Sequence, residues 1–140
     1  MRNAILFHCG PVVVRERGRW VVKAAGPTTS AREEPYQAGI IREAGLRGVI
    51  GKGGMGEKTL AACRRQGCVY FHAVGGAAQV LAAHVRRVRG VHFLEEFGGP
   101  EAVWKLEVER FPVVVTMDAR GGSLHTVIRD LSRKRLAALR

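Results

Sequence analysis

Between Ile5 and Phe71, every short apolar run is stopped by glycine within a few residues. Ile5-Leu6-Phe7 runs into Gly10-Pro11, Val12-Val13-Val14 into Gly18, and Trp20-Val21-Val22 into Gly26-Pro27. Val49-Ile50 then runs into Gly51, and Val69-Tyr70-Phe71 into Gly75-Gly76. Runs this short, β-branched or aromatic and closed by turn formers, read as strands rather than helices. The Arg-Glu-Arg-Gly stretch after Val14 suggests a hairpin with the Trp20 run.

Helical spacing interrupts this rhythm. Tyr36, Ile40, Ile41 and Ala44 recur along one face before Gly45, a plausible C-cap. Residues 58–66 form a second helix stopped by Gly67, with Leu60 and Ala61 expected inward, and Gly75-Gly76-Ala77-Ala78 opens a third through Val80, Leu81 and His84. From Val91 the texture returns to strands, over 91–94, 103–108 and 113–117. Trp104, Leu106 and Val108 alternate with Lys105, Glu107 and Glu109, the period of a strand with one wet face. A tight turn at residues 118–122 precedes a basic helix over 124–139. Strands, βαβα units and strands again predict an α/β fold, a mixed sandwich with a partly parallel sheet. At 140 residues this is one domain, with no repeat or internal linker.

A formal net charge of +11 calls for an anionic partner, which could be nucleic acid, an acidic protein surface or a small anion. Aromatics make up only 6%, too few for the stacking platforms of single-strand binding, and no nucleic-acid motif accompanies the charge. Three cysteines, an odd number, argue against a disulfide framework and fit a reducing compartment. With no secretory signal and no apolar run long enough to span a bilayer, a soluble, cytoplasmic protein without a membrane partner is expected.

The stretch least suited to a core is Gly26-Pro27-Thr28-Thr29-Ser30-Ala31-Arg32. Proline fixes the turn, the hydroxyls and free amides can donate, and the guanidinium offers a planar fork for a carboxylate. The commoner explanation is capping, with Thr or Ser opening a helix before Glu33 and Glu34. The two are compatible, because a helix N-terminus is itself an anion site.

Gly51-Lys52-Gly53-Gly54-Met55-Gly56 satisfies a dinucleotide-type glycine fingerprint, but the strand after it ends His72-Ala73-Val74-Gly75, with no carboxylate for a ribose. A phosphate-loop reading fails because Glu57 separates Gly56 from Lys58. A backbone nest plus the Lys52 ammonium remains, suited to a small anion. Cys9, Cys63 and Cys68 lack the spacing of cluster ligands, and the five histidines show no metal-binding pattern, so no metal is expected on this chain.

Four stretches together resemble the class I, iron–sulfur fumarate hydratases. They are residues 26–32, Ile50-Gly51-Lys52-Gly53, Val74-Gly75-Gly76-Ala77-Ala78, and residues 101–112 from Glu101 through Trp104 to Phe111-Pro112. The likeness is to the β subunit, equivalent to the C-terminal domain of single-chain members and shared with L-tartrate dehydratase. It implies a swivelling β/β/α sandwich domain over residues 1–140, lacking the usual N-terminal segment with its Thr-Ala-Arg-Asp motif.

The resemblance also implies reversible hydration of fumarate to malate. The [4Fe-4S] cluster, whose open iron acts as Lewis acid, would be held by a partner fumarase α subunit, giving a homo- or hetero-oligomer. By the same resemblance Thr28 would take part in proton transfer at C3. Thr29 would contact substrate, Arg32 would clamp one carboxylate and Lys52 would meet the other. Without the α subunit the chain should be inactive. The alternatives are an L-tartrate dehydratase β subunit and a non-enzymatic basic RNA- or polyanion-binding module, the latter resting on the charge and the Arg-rich C-terminal helix.

Overall fold

The computed structural model describes residues 2–139. Its centre is a four-stranded sheet formed by β1 (Ile5–Phe7), β4 (Gly48–Gly51), β5 (Val69–His72) and β8 (Val114–Met117), in the order β1-β4-β5-β8. The first three run parallel and β8 is antiparallel to β5. Two hairpins lie outside this sheet, β2 (Val12–Glu16) with β3 (Arg19–Ala24) and β6 (Val85–His92) with β7 (Val103–Val108). Among the described residues five α-helices complete the fold: α1 (Glu34–Ala44), α2 (Glu57–Gln66), α3 (Ala78–Ala83), α4 (Leu94–Glu101) and α5 (Leu124–Ala138). The fold is mixed α/β, as the order of runs predicts.

Strand alternation divides the core in two. Val49 and Tyr70 face α1 and α2, packing with Ile41, Leu46, Met55, Ala62, Cys63, Cys68 and Met117. Ile50 and Phe71 face the other way, with Ala73, Leu81, Phe7, Phe111 and Val113. Burying a side chain such as Ile41 or Leu46 stabilises by about 1.5–3 kcal/mol, so the α1/α2 face supplies most of the core energy. β4 is buried along its whole length, as an inner parallel strand must be. A Cβ at Gly48 would come within 2.8 Å of the Phe71 ring, so only glycine lets β5 pack there. α1 and α2 both end on a left-handed glycine, Gly45 and Gly67.

Three local readings are corrected. The buried face of α2 carries Thr59, Ala62 and Cys63; Leu60 packs against the same core from a half-buried position, as expected, whereas Ala61 is not among the residues packed there. β6 begins at Val85, not Val91, so Arg86 and Arg89 stand on a strand and pair across the hairpin with Glu109 and Glu107. Cross-strand ion pairing lets an Arg-rich stretch adopt a strand that its composition does not advertise. Finally, the strand expected over 91–94 stops at His92, and α4 follows from Leu94 in two short turns broken at Gly98. Its Gly99 carbonyl accepts the Trp104 indole N–H at 2.8 Å, and Trp104 meets Trp20 edge-on at 5.3 Å, joining the two hairpins.

Candidate active site

The three parallel strands end together, and the loops leaving them carry the motif residues. Outside the carboxyl ends of the strands is where open α/β sheets bind ligands. His8, just past β1, donates its amide to the Ile50 carbonyl at 2.8 Å, and its own carbonyl accepts the Thr28 amide at 2.7 Å. The Lys52 amide donates to the Thr28 carbonyl at 3.2 Å and the Ser30 amide to the Lys52 carbonyl at 3.0 Å. Thr29 and Lys52 thus form an isolated parallel bridge.

The loop after β5 closes the third side. A Cβ on Gly75 would lie 3.4 Å from Lys52 Cδ and 3.9 Å from Nζ, so the lysine side chain runs along this glycine. Ala25 donates to the Ala78 carbonyl at 3.0 Å, bringing the Gly26 turn against the start of α3. Three of the four stretches behind the family resemblance therefore share one place. The fourth buttresses it from outside, through the Phe111 ring edge-on to Phe7 at 5.4 Å and the Glu109 amide on the His84 carbonyl.

Of the predicted site residues, Thr28 is half-buried, Thr29 and Arg32 are exposed and Lys52 is half-buried. Arg32 Nη2 donates to Thr28 Oγ1 at 3.1 Å, one helical turn away. The capping expectation is not met: neither the 3-10 turn Ser30–Glu33 nor α1 has a side-chain cap. The hydroxyls do other work. Thr28 accepts from Arg32, and Ser30 turns inward.

Ser30 belongs to a buried polar row invisible in the sequence. Its Oγ lies 2.9 Å from His8 Nδ1 and accepts the Tyr70 phenol at 2.9 Å, while His8 Nε2 lies 2.8 Å from Gln37 Oε1. Burial holds the His8 imidazole below its ordinary value, so the ring is neutral near pH 7. Burial likewise pushes the Tyr70 phenol up, offset in part by Ser30 and the Gly54 backbone amide. A Cβ on Gly51 would overlap Ser30 Oγ, so glycine there is what admits the serine.

Glu34 is the second residue that sequence reasoning missed. Its carboxylate takes the amides of Gly56, Lys58 and Thr59 at 2.8, 3.0 and 3.2 Å and the Thr59 hydroxyl at 2.7 Å. It caps α2 from α1, with no local pattern to announce it. The N-terminal amides that a dinucleotide phosphate would use are therefore filled by this chain's own carboxylate.

Helix α5 reaches the same loop. The His125 ring packs against Gly54, where a Cβ would come within 2.7 Å of it, and Nε2 lies 2.9 Å from Thr116 Oγ1. Burial and the nearby His72 hold His125 below its ordinary value.

The cysteines do not suit a cluster. Cys63 and Cys68 are fully buried among apolar side chains, where the Cys68 neighbour and burial push the Cys63 thiol up and the hydrogen bond with Cys63 holds Cys68 below its ordinary value. Burial pushes Cys9 up to about 11. Cys9 lies outside the core cluster that holds Cys63 and Cys68, so the three sulfurs do not come together. Among the described residues no group of three metal-ligating side chains converges, and no helix is long and apolar enough to cross a membrane.

Two surface clefts, of about 220 and 530 Å³, lie away from the motif residues. The smaller sits at the C-terminal ends of α1 and α2, where carbonyls rather than amides are presented, and its Arg47 is committed to the Gln66 carbonyl at 2.6 Å. The larger is an open groove on the outer face of α2.

The fold and site define an α/β domain in which Thr28, Thr29, Arg32 and Lys52 stand on adjoining loops at the carboxyl ends of its parallel strands. The chain belongs to the fumarase C-terminus family, whose model matches residues 1–128. A Geobacillus stearothermophilus protein, provisionally named fumarate hydratase class I, is 54% identical over 138 residues, covering 98% of this chain and 27% of that protein. A Methanocaldococcus jannaschii protein, provisionally named L(+)-tartrate dehydratase subunit beta, is 41% identical over 126 residues, 89% of this chain and 65% of that one. The L(+)-tartrate dehydratase subunit beta of Escherichia coli K12 is 35% identical over 125 residues, 89% of this chain and 62% of that one. The chain thus spans less than two thirds of the length of each of these relatives.

Proposed function

We propose that this chain is the β-type part of a hydro-lyase that adds water reversibly to fumarate, giving malate, together with an α subunit. The carrying observation is the Thr29–Lys52 bridge, which brings the loop of Thr28 and Arg32 beside the loop of Lys52. A dicarboxylate has two charges, and two cations on different loops can hold both ends, fixing the carbon between them. Arg32 and Lys52 take these roles, with Thr29 exposed at the rim as a further contact.

Thr28 is assigned the proton at C3. A threonine hydroxyl is a weak base alone. To take the C3 proton the hydroxyl must first pass its own proton to a base, in this reading one on the partner chain; the Arg32 N–H at its oxygen stabilises the alkoxide left behind, so one guanidinium both orients substrate and supports Thr28. The iron–sulfur cluster expected of this chemistry belongs, in this reading, to the α subunit, since the cysteines here do not fit it. Without that partner the chain is inactive.

The relative named for fumarate hydratase favours fumarate, and those named for tartrate dehydratase keep L-tartrate as the second reading. Both substrates are dicarboxylates and lose water in the same way. The test is co-expression with the α-type subunit, anaerobic reconstitution and a fumarate, malate and tartrate panel. Turnover of fumarate and malate supports the proposal, tartrate alone supports the second reading, and no turnover of any diacid rejects both.

A further inference from the structure

We infer that His8, Ser30 and Tyr70 form a buried clip that sets the spacing between the Thr28 and Lys52 loops, which makes Tyr70 and His8 positioning residues for dicarboxylate binding. The inference deepens the proposed function and rests on it for the identity of the ligand.

Ser30 is the one member of the hydroxyl triplet that is fully buried. It is held from three sides: its amide on the Lys52 carbonyl at 3.0 Å, its Oγ at His8 Nδ1, and the same Oγ under the Tyr70 phenol, the last two at 2.9 Å. His8 holds the neighbouring Thr28 as well, through its main-chain carbonyl. One residue of β5 and one from the end of β1 thus grip the segment that carries Thr28 and Arg32 and register it against Lys52. Gly51 leaves no slack, since a Cβ there would overlap Ser30 Oγ and sit 3.1 Å from the Tyr70 hydroxyl.

The row has a direction. Tyr70 gives its only proton to Ser30 Oγ, so Ser30 gives its proton to His8 Nδ1, and His8 carries its own on Nε2 and donates to Gln37 Oε1. Every hydroxyl and ring nitrogen in the row is satisfied in this order, which makes each member costly to remove. Removing the phenol oxygen frees Ser30 at one end without altering the side chains of Thr28, Arg32 or Lys52. Tyr70 does not touch substrate, so its loss weakens ground state and transition state alike.

The test compares Tyr70→Phe, His8→Leu and His8→Asn in the full chain with its partner subunit. Steady-state kinetics on fumarate and malate are combined with amide hydrogen exchange at Ser30 and Lys52. In Tyr70→Phe both amides should exchange at least about tenfold faster, and KM should rise about tenfold with kcat changed less than about threefold, the pattern of lost uniform binding. His8→Asn, whose Oδ1 can accept the Ser30 proton in place of Nδ1, should keep a KM near wild type, whereas His8→Leu should not. A residue that merely stabilised the fold would lower the amount of active enzyme, reducing apparent kcat at unchanged KM. That result, or wild-type exchange at both amides in Tyr70→Phe, overturns the inference. If the wild-type enzyme turns over no dicarboxylate, the functional reading fails, and exchange alone decides the clip: faster exchange supports it and unchanged exchange overturns it.

Discussion

The backbone amide of Lys52 donates to the carbonyl of Thr28 at 3.2 Å, although the two residues belong to loops leaving different strands. This hydrogen bond, returned by Ser30 to the Lys52 carbonyl, turns two glycine-rich loops into one surface. Thr28, Arg32 and Lys52 therefore stand on two adjoining loops at the end of the sheet.

Arg32→Lys and Thr28→Ala should leave folding intact and each lower turnover of the assembled enzyme by about a hundredfold or more, the scale of lost positioning and charge stabilisation. Arg32 is exposed and Thr28 half-buried, so thermal unfolding should shift little. Wild-type rates in both variants would remove their assigned roles.

Glu34→Gln should destabilise the protein by about 1–3 kcal/mol in urea unfolding, because the amide can accept only at one oxygen and turns its donors toward the α2 amides. Four hydrogen bonds converge on this carboxylate. A midpoint equal to wild type would show that α2 does not depend on the cap.

How much of this was legible in the sequence depends on distance along the chain. The hairpin of Val12 and Trp20, the helices ended by Gly45 and Gly67, and the strands at Ile5, Val49 and Val69 follow from neighbours a few residues apart. Glu34, Ser30 and Tyr70 take partners 25, 22 and 40 residues away, and nothing local distinguishes Glu34 from an ordinary acidic first turn. The residues of the Gly26 loop and Lys52 stood out locally, as hydroxyls, an arginine and a glycine nest ill-suited to a core, and the agreement of four separated stretches with one family gave them roles. The early start of β6 was hidden by Arg86 and Arg89, whose partners Glu109 and Glu107 lie across the hairpin.

Stability should fall as pH drops below about 6.5. His8 and His125 both sit below their ordinary value of 6.5 because burial penalises the imidazolium. Above that pH folded and unfolded chains are alike neutral at these rings. Below it the unfolded chain takes up protons that the folded one does not, so stability declines until the lower folded values are passed. A melting series from pH 8 to pH 5 measures this, and His8→Asn should flatten part of the decline. A Tm that rises toward pH 5 would contradict the buried neutral histidines.

Cys9→Ala should leave the iron and sulfide content of the anaerobically assembled enzyme unchanged, since in the proposed reading the cluster ligands come from the α subunit. Loss of one iron, or of the whole cluster, would move a ligand onto this chain.

The central claim is that Arg32 and Lys52, on separate loops, hold the two ends of one diacid. A structure of the assembled enzyme with malate bound measures this most directly. The account predicts one carboxylate on the Arg32 guanidinium, the other on the Lys52 ammonium, and the C3 carbon against the Thr28 hydroxyl. Malate bound with both carboxylates on other groups, and no contact to either cation, would contradict it.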